Sequence, residues 1–160
     1  MLYHSSSYPH FETIWVYLHV ICIIPLLFIA IFIFFRLKGD KIHKIMGWSF
    51  VTFMLISMIA SFWIPNFGDL SFIHILSVAT IYWIIRAIIA TRFKRPDWRY
   101  VHASNMISAF IGILIAGIGV FVRHYIYPGD VGAGGIASLI LAIILIPIAV
   151  RMSLRYKKSV

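Results

Sequence analysis

The stretch Thr13–Phe35, TIWVYLHVICIIPLLFIAIFIFF, followed at once by Arg36-Leu37-Lys38-Gly39-Asp40-Lys41-Ile42-His43-Lys44, decides how this chain is read. An unbroken apolar run needs roughly 20 residues to cross a bilayer core as helix, and this one has them. The basic segment behind it gives the crossing a direction, because lysine and arginine are retained on the cytoplasmic side. Working outward, four more apolar runs follow at about Ile45–Ile64, Ser71–Ala90, Ala103–Val122 and Gly135–Met152. Of the fourteen Lys and Arg residues, thirteen fall on one side of this five-rung ladder; Arg123 is the exception. The expected architecture is an all-α polytopic membrane helix bundle of five transmembrane helices, N-terminus outside and C-terminus cytoplasmic. It is expected to form a single domain over residues 1–160.

Composition agrees. A hydrophobic content of 62% and a mean hydropathy of +0.97 exclude a soluble globular class. The net charge of +9 would suggest nucleic acid in a soluble chain. Here the positional pattern absorbs it, and no nucleic-acid partner is expected. The same basic segments suit anionic lipid headgroups at the cytoplasmic face. The lone cysteine, Cys22, cannot form an internal disulfide. The N-terminal MLYHSSSYPHFE has no basic n-region, so the first helix is read as retained. Trp15, Tyr17, Trp48, Trp63, Trp98, Tyr100, Tyr125 and Tyr127 gather near the interfaces, as aromatic anchors do. Pro25 and Pro147 sit inside helices 1 and 5, where a mild kink is expected.

Seven histidines against five acidic residues is the unusual feature. An ionisable group at membrane depth is costly, so it is a functional candidate by default. By depth they form an outer set, His19, His74 and His124, and an inner set, His43 and His102, with His4 and His10 in the outer tail. By face, at 100° per residue, His43, Gly47, Phe50, Met54, Ser57 and Ser61 make one stripe on helix 2. His102, Met106, Ala109, Ile113, Ala116, Val120 and His124 share a line on helix 4, and Trp15, His19, Ile23, Leu26 and Ala30 a stripe on helix 1. Small and polar residues usually face neighbouring helices, so the histidines are expected to point into the bundle.

Three readings compete for them. Paired imidazoles on facing helices with small residues between suit haem b. The candidate ligands are His19 with His74, and His43 with His102; Arg86 is placed to meet a propionate or a lipid phosphate, or simply to snorkel. An outer metal site built from His19, His74 and His124 suits Zn, Cu or Fe, with Glu12 or Asp69 as a fourth ligand. In the third reading each histidine hydrogen-bonds a backbone carbonyl or a serine. Ser71, Ser77 and Asn105 are the acceptors that spacing suggests for ligating rings. Two-haem bundles commonly carry two histidines about 13 residues apart on one helix. No helix here does, since His102 and His124 stand about 33 Å apart by helical rise. A haem would therefore draw its ligands from separate helices.

Elsewhere no P-loop, Rossmann fingerprint, HExxH or CxxC occurs. Gly112 and Ala116, with Gly117 and Gly119, form a small-xxx-small pattern that would allow homo-oligomer contact through helix 4. Gly129, Gly132, Gly134 and Gly135 predict a flexible connection between helices 4 and 5, as a plain loop or a lid.

The run Lys38-Gly39-Asp40-Lys41-Ile42-His43-Lys44-Ile45-Met46-Gly47-Trp48, followed by Met54, resembles a bacterial membrane-protein family without assigned activity, domain of unknown function 2306. Leu18-His19, Lys38-Gly39 with His43 and Gly47, His74, and His102 with Met106 match its pattern over about residues 15–120. The resemblance implies the same membrane fold and singles out the same histidines; it brings no reaction. Two functional expectations stand side by side. One is a small redox protein exchanging electrons with a quinone or a membrane protein partner. The other is a non-catalytic accessory subunit or small transporter.

The charge pattern makes a prediction. A reporter fused at the C-terminus is expected in the cytoplasm and one inserted near Gly132 outside; finding both on one side would change the helix count by one.

Overall fold

The computed structural model describes residues 9–36, 38–64, 72–94 and 96–157. Helices α1 (Pro9–Phe35), α2 (Lys41–Ser61), α3 (Phe72–Phe93), α4 (Trp98–Phe121) and α5 (Val131–Lys157) account for most of them, and a π-helical turn, Val122–Ile126, follows α4. No strand occurs among the described residues. The five helices are long and apolar enough to cross a membrane.

Four of the helices, α1, α2, α4 and α5, begin earlier than the apolar runs alone suggest, and for α2 and α5 the short connections explain why. Lys38 donates its Nζ hydrogens to the carbonyls of Ile33 and Phe34. Those are among the last carbonyls of α1, which no intrahelical N–H reaches. Gly39 then turns the chain at φ +91°, a region costly for any residue with a Cβ. Asp40 is the N-cap of α2; its Oδ1 accepts from the His43 amide at 2.7 Å. That bond, with Arg36 Nη2 2.9 Å from Oδ2, holds the Asp40 carboxyl below the usual carboxylate range. Asp130 does the same work for α5, its Oδ1 accepting from Ala133 N at 3.0 Å. Such caps draw helix into polar flanking sequence, so α2 and α5 start at Lys41 and Val131 rather than at 45 and 135.

The chain gathers into two compact units, Met1–His74 and Ile75–Val160. In the first, α1 packs on α2. Cys22, Leu26 and Ala30 of α1 are buried, as are Phe50, Met54, Ser57, Met58 and Ser61 of α2. The helix-2 stripe drawn from the sequence is thus an inward face. In the second unit, Ile107, Ile111 and Ile115 of α4 form a buried cluster with Ala149 of α5, and Ala142, Leu145 and Met152 pack against it.

The glycine-rich segment is not a loop. Gly132, Gly134 and Gly135 lie in the first turns of α5, and the connection shrinks to Tyr127–Asp130. At Gly134 the reason for glycine is close approach. A Cβ on Gly134 would stand 2.6 Å from the Gly119 carbonyl oxygen, and one on Gly119 would overlap Ser138 Oγ. With both side chains absent, Ser138 reaches across and donates to the Ile115 carbonyl at 2.9 Å. Gly112 serves α3 in the same way, where an added Cβ would meet Thr80 Oγ1 at 3.2 Å. Gly117 faces open space. A reporter for the α4–α5 connection therefore belongs at the Pro128–Gly129 turn, since insertion at Gly132 would break α5.

This packing predicts unequal glycines. Gly134→Ala is expected to destabilise by about 1–3 kcal/mol, through overlap with backbone that cannot swing aside. Gly117→Ala, which meets nothing, should be neutral or slightly stabilising. Denaturant unfolding in detergent micelles, followed by circular dichroism, distinguishes them; equal effects would place the α4–α5 contact elsewhere.

Candidate functional site

Two of the sequence-selected histidines are fixed by backbone carbonyls of the neighbouring helix. His19 sits on the inward stripe of α1, one turn beyond Trp15, and is half-buried. Its Nδ1 lies 2.9 Å from the Ser57 carbonyl oxygen on α2. A carbonyl can only accept, so Nδ1 carries the hydrogen and donates it. Ser57 Oγ lies 2.9 Å from the same nitrogen and donates to the His19 carbonyl at 3.4 Å, closing a reciprocal pair between the helices. One turn further along, Trp15 stacks on Trp63, ring centroids 5.6 Å apart.

His102 repeats the arrangement in the second unit. It follows the α3–α4 turn and donates Nδ1–H to the Ala87 carbonyl of α3 at 3.2 Å. In both rings the far nitrogen, Nε2, is left as the atom that can take a proton or a metal. A ligating histidine usually shows this pattern, with its other ring N–H held by an acceptor.

His74, at the start of α3, is buried and stacks on Phe62 at the C-cap of α2, 5.5 Å between centroids. His19 and His74 therefore both engage the closing turns of α2, through residues 57 and 62, about 7.5 Å apart by helical rise. His43 occupies the first turn of α2 and is half-buried; its amide is the one capped by Asp40. It belongs to the first unit and His102 to the second.

Other candidates are placed differently. His124 lies in the π-helical turn and is exposed, its ring edge against Tyr125 at 4.9 Å. The π-turn departs from the 100° step on which the helix-4 line was drawn. That line is inward at Ala109 and Ile113 but open at Val120. Among the described residues, no three His, Cys, Asp or Glu side chains converge on a metal position, and His19, His74 and His124 form no such group. Asp69, His4 and the side chains of Glu12 and His10 lie outside the described residues. Arg86 is exposed and turns back along its own helix, Nη1 3.3 Å from Tyr82 Oη and the guanidinium 5.8 Å from the Tyr82 ring centre.

Of the acceptors that spacing suggested, Asn105 spends its amide on Val101 O of its own helix at 2.7 Å, Ser77 is buried, and Ser71 lies outside the described residues. The acceptors actually found, the carbonyls of Ser57 and Ala87, carry no sequence mark, since every residue has a carbonyl. Ser57 alone was legible, as a polar residue on the inward stripe of helix 2.

No protein-family model, curated protein or solved structure matches the chain.

The geometry predicts a contrast. His19→Ala would leave a carbonyl and a hydroxyl without their partner between two apolar helices, at an expected cost of about 1–3 kcal/mol. Arg86→Lys, whose partner is an exposed tyrosine on its own helix, should stay within about 0.5 kcal/mol. Unfolding of the detergent-solubilised variants tests both, and a larger loss for Arg86→Lys would reverse the ranking.

Proposed function

We propose that this chain is a small redox protein of a bacterial cytoplasmic membrane, with its N-terminus outside and its C-terminus in the cytoplasm. In this reading His19 and His74 hold haem b, and electrons pass to or from a quinone or a protein partner in the bilayer. The single observation that carries the reading is the His19 hydrogen bond. Its Nδ1 is committed to the Ser57 carbonyl, so the ring is oriented and Nε2 is the nitrogen left to ligate. Haem, when bound, supplies a one-electron couple whose potential depends on its axial ligands and their hydrogen bonds. The remaining work belongs to the chain. The Ser57 carbonyl sets the tautomer of His19, and Phe62 restricts rotation of the His74 ring by stacking. His102 carries the same preparation through Ala87 and is the corresponding inner candidate, with His43 and Arg86 the other inner residues. The exposed ribs of Ile, Phe, Val and Leu along α1, α2, α3 and α5 suit lipid contact.

A second reading has its own observation. The His19–Ser57 and His102–Ala87 bonds are complete ties between helices without any ligand. An accessory subunit or small transporter needs no more of them than that.

The absorption spectrum of detergent-purified protein from haem-supplied cells separates the two. The redox reading expects a Soret band, its loss in His19→Ala and in His74→Ala alike, and no further loss in the double variant, because paired ligands are strongly non-additive. A parent without a Soret band, or alanine variants with undiminished haem, would leave the accessory or transport reading.

A further inference from the structure

The α1–α2 connection carries a feature that the redox reading does not use. Phe28, Ile31, Phe32, Phe35 and Arg36 line an open groove of about 420 Å³ on the outer face of α1. Phe28 and Phe35 are 71% and 90% exposed, far beyond what interior packing would leave. Positions 28, 32 and 36 follow each other at i, i+4, so Arg36 closes the polar end of an aromatic ridge about 12 Å long. Its guanidinium carbon lies 5.9 Å from the Phe32 ring centre. One edge of that guanidinium is committed, Nη2 donating to Asp40 Oδ2 at 2.9 Å. Its Nε, shielded from solvent, has no hydrogen-bond partner. Lys38 is drawn back onto the end of α1, while Lys41 and Lys44 stand exposed beyond it. Between residues 36 and 44, four cations face one carboxylate.

We propose that this groove is a specific site for one anionic glycerophospholipid. An acyl chain lies along the phenylalanine ridge, and the phosphodiester accepts from the part of the Arg36 guanidinium that is open to solvent and not taken by Asp40, with Lys41 beside it. An apolar trough ending in an unsatisfied guanidinium donor matches a molecule with a hydrocarbon tail and a phosphate head. A free anion would use only the polar end, and the apolar face of a helix from a second copy would fill only the trough. Arginine favours phosphate because its fork offers several donors in one plane. The site is distinct from general attraction to an anionic surface, which any of the exposed lysines would provide equally.

Native mass spectrometry of the full-length protein tests this, after incubation in detergent with equal amounts of dioleoylphosphatidylglycerol and dioleoylphosphatidylcholine. The expected result is one retained phosphatidylglycerol per chain. Arg36→Gln should lower its occupancy about five-fold, and Lys44→Gln, with the same change in net charge, less than about two-fold. Phe32→Ala removes a wall of the groove from an exposed position, together with the ring under the Arg36 guanidinium, and should lower occupancy while Arg36 and Asp40 both remain present; Phe121→Ala, an equally exposed control, should not. This second comparison decides the matter if Arg36→Gln does not fold. Equal retention of the two lipids, equal losses from Arg36→Gln and Lys44→Gln, indifference to Phe32→Ala, displacement of the lipid by inorganic phosphate, or a lipid-free dimer that Phe32→Ala dissolves would each overturn the proposal.

Discussion

A ring nitrogen of histidine held by the backbone carbonyl of the next helix is the interaction on which this structure turns. Between apolar helices there is little water to substitute for a missing partner. A hydrogen bond made there contributes only about 1 kcal/mol net, while a polar group left unpaired costs about 1–3 kcal/mol. The penalty for breaking the contact, more than the gain from making it, fixes the helix register. His19 and Ser57 tie α1 to α2, and His102 and Ala87 tie α3 to α4. The same bonds decide which nitrogen of each ring remains for chemistry. The structural and functional roles of these histidines are therefore one arrangement seen from two sides: Nδ1 serves the fold and Nε2 is left over.

Close backbone approach is the second device. Helices in lipid gain little from burying apolar groups against each other, so contact depends on small residues and a few polar links. The α4–α5 pair shows both. Gly119 and Gly134 let the helices approach, and the Ser138 hydroxyl then reaches the Ile115 carbonyl. Larger apolar side chains, Ile107, Ile111 and Ile115, carry the contact further along α4.

Much of this was legible in the chain, and the exceptions have physical causes. Runs of apolar residues locate five helices because length and hydropathy are one-dimensional properties. The inward stripes of helices 1 and 2 were legible too, since Leu26, Ala30, Phe50, Met54 and Ser57 recur at helical spacing. Gly134 misled, because glycine marks a loop and a close helix contact equally well, and only the partner at Gly119 tells them apart. Asp40 and Asp130 were readable as N-caps from their place before a helix, and reading them so would have moved two helix starts outward. The motif Lys38-Gly39-Asp40 proves to have a local task at each position: capping α1, turning the chain and capping α2. What no sequence could mark is which carbonyl a histidine meets.

The nitrogen-15 spectrum of the two rings tests this account most directly, recorded by solid-state NMR on histidine-labelled protein in lipid bilayers and assigned with His19→Ala and His102→Ala. The account predicts a protonated, hydrogen-bonded Nδ1 for both His19 and His102, with Nε2 as the titrating or metal-bound nitrogen. An unprotonated Nδ1 on either ring would contradict it. That carbonyl could then not be its partner, and both the helix tie and the prepared ligand would be lost together.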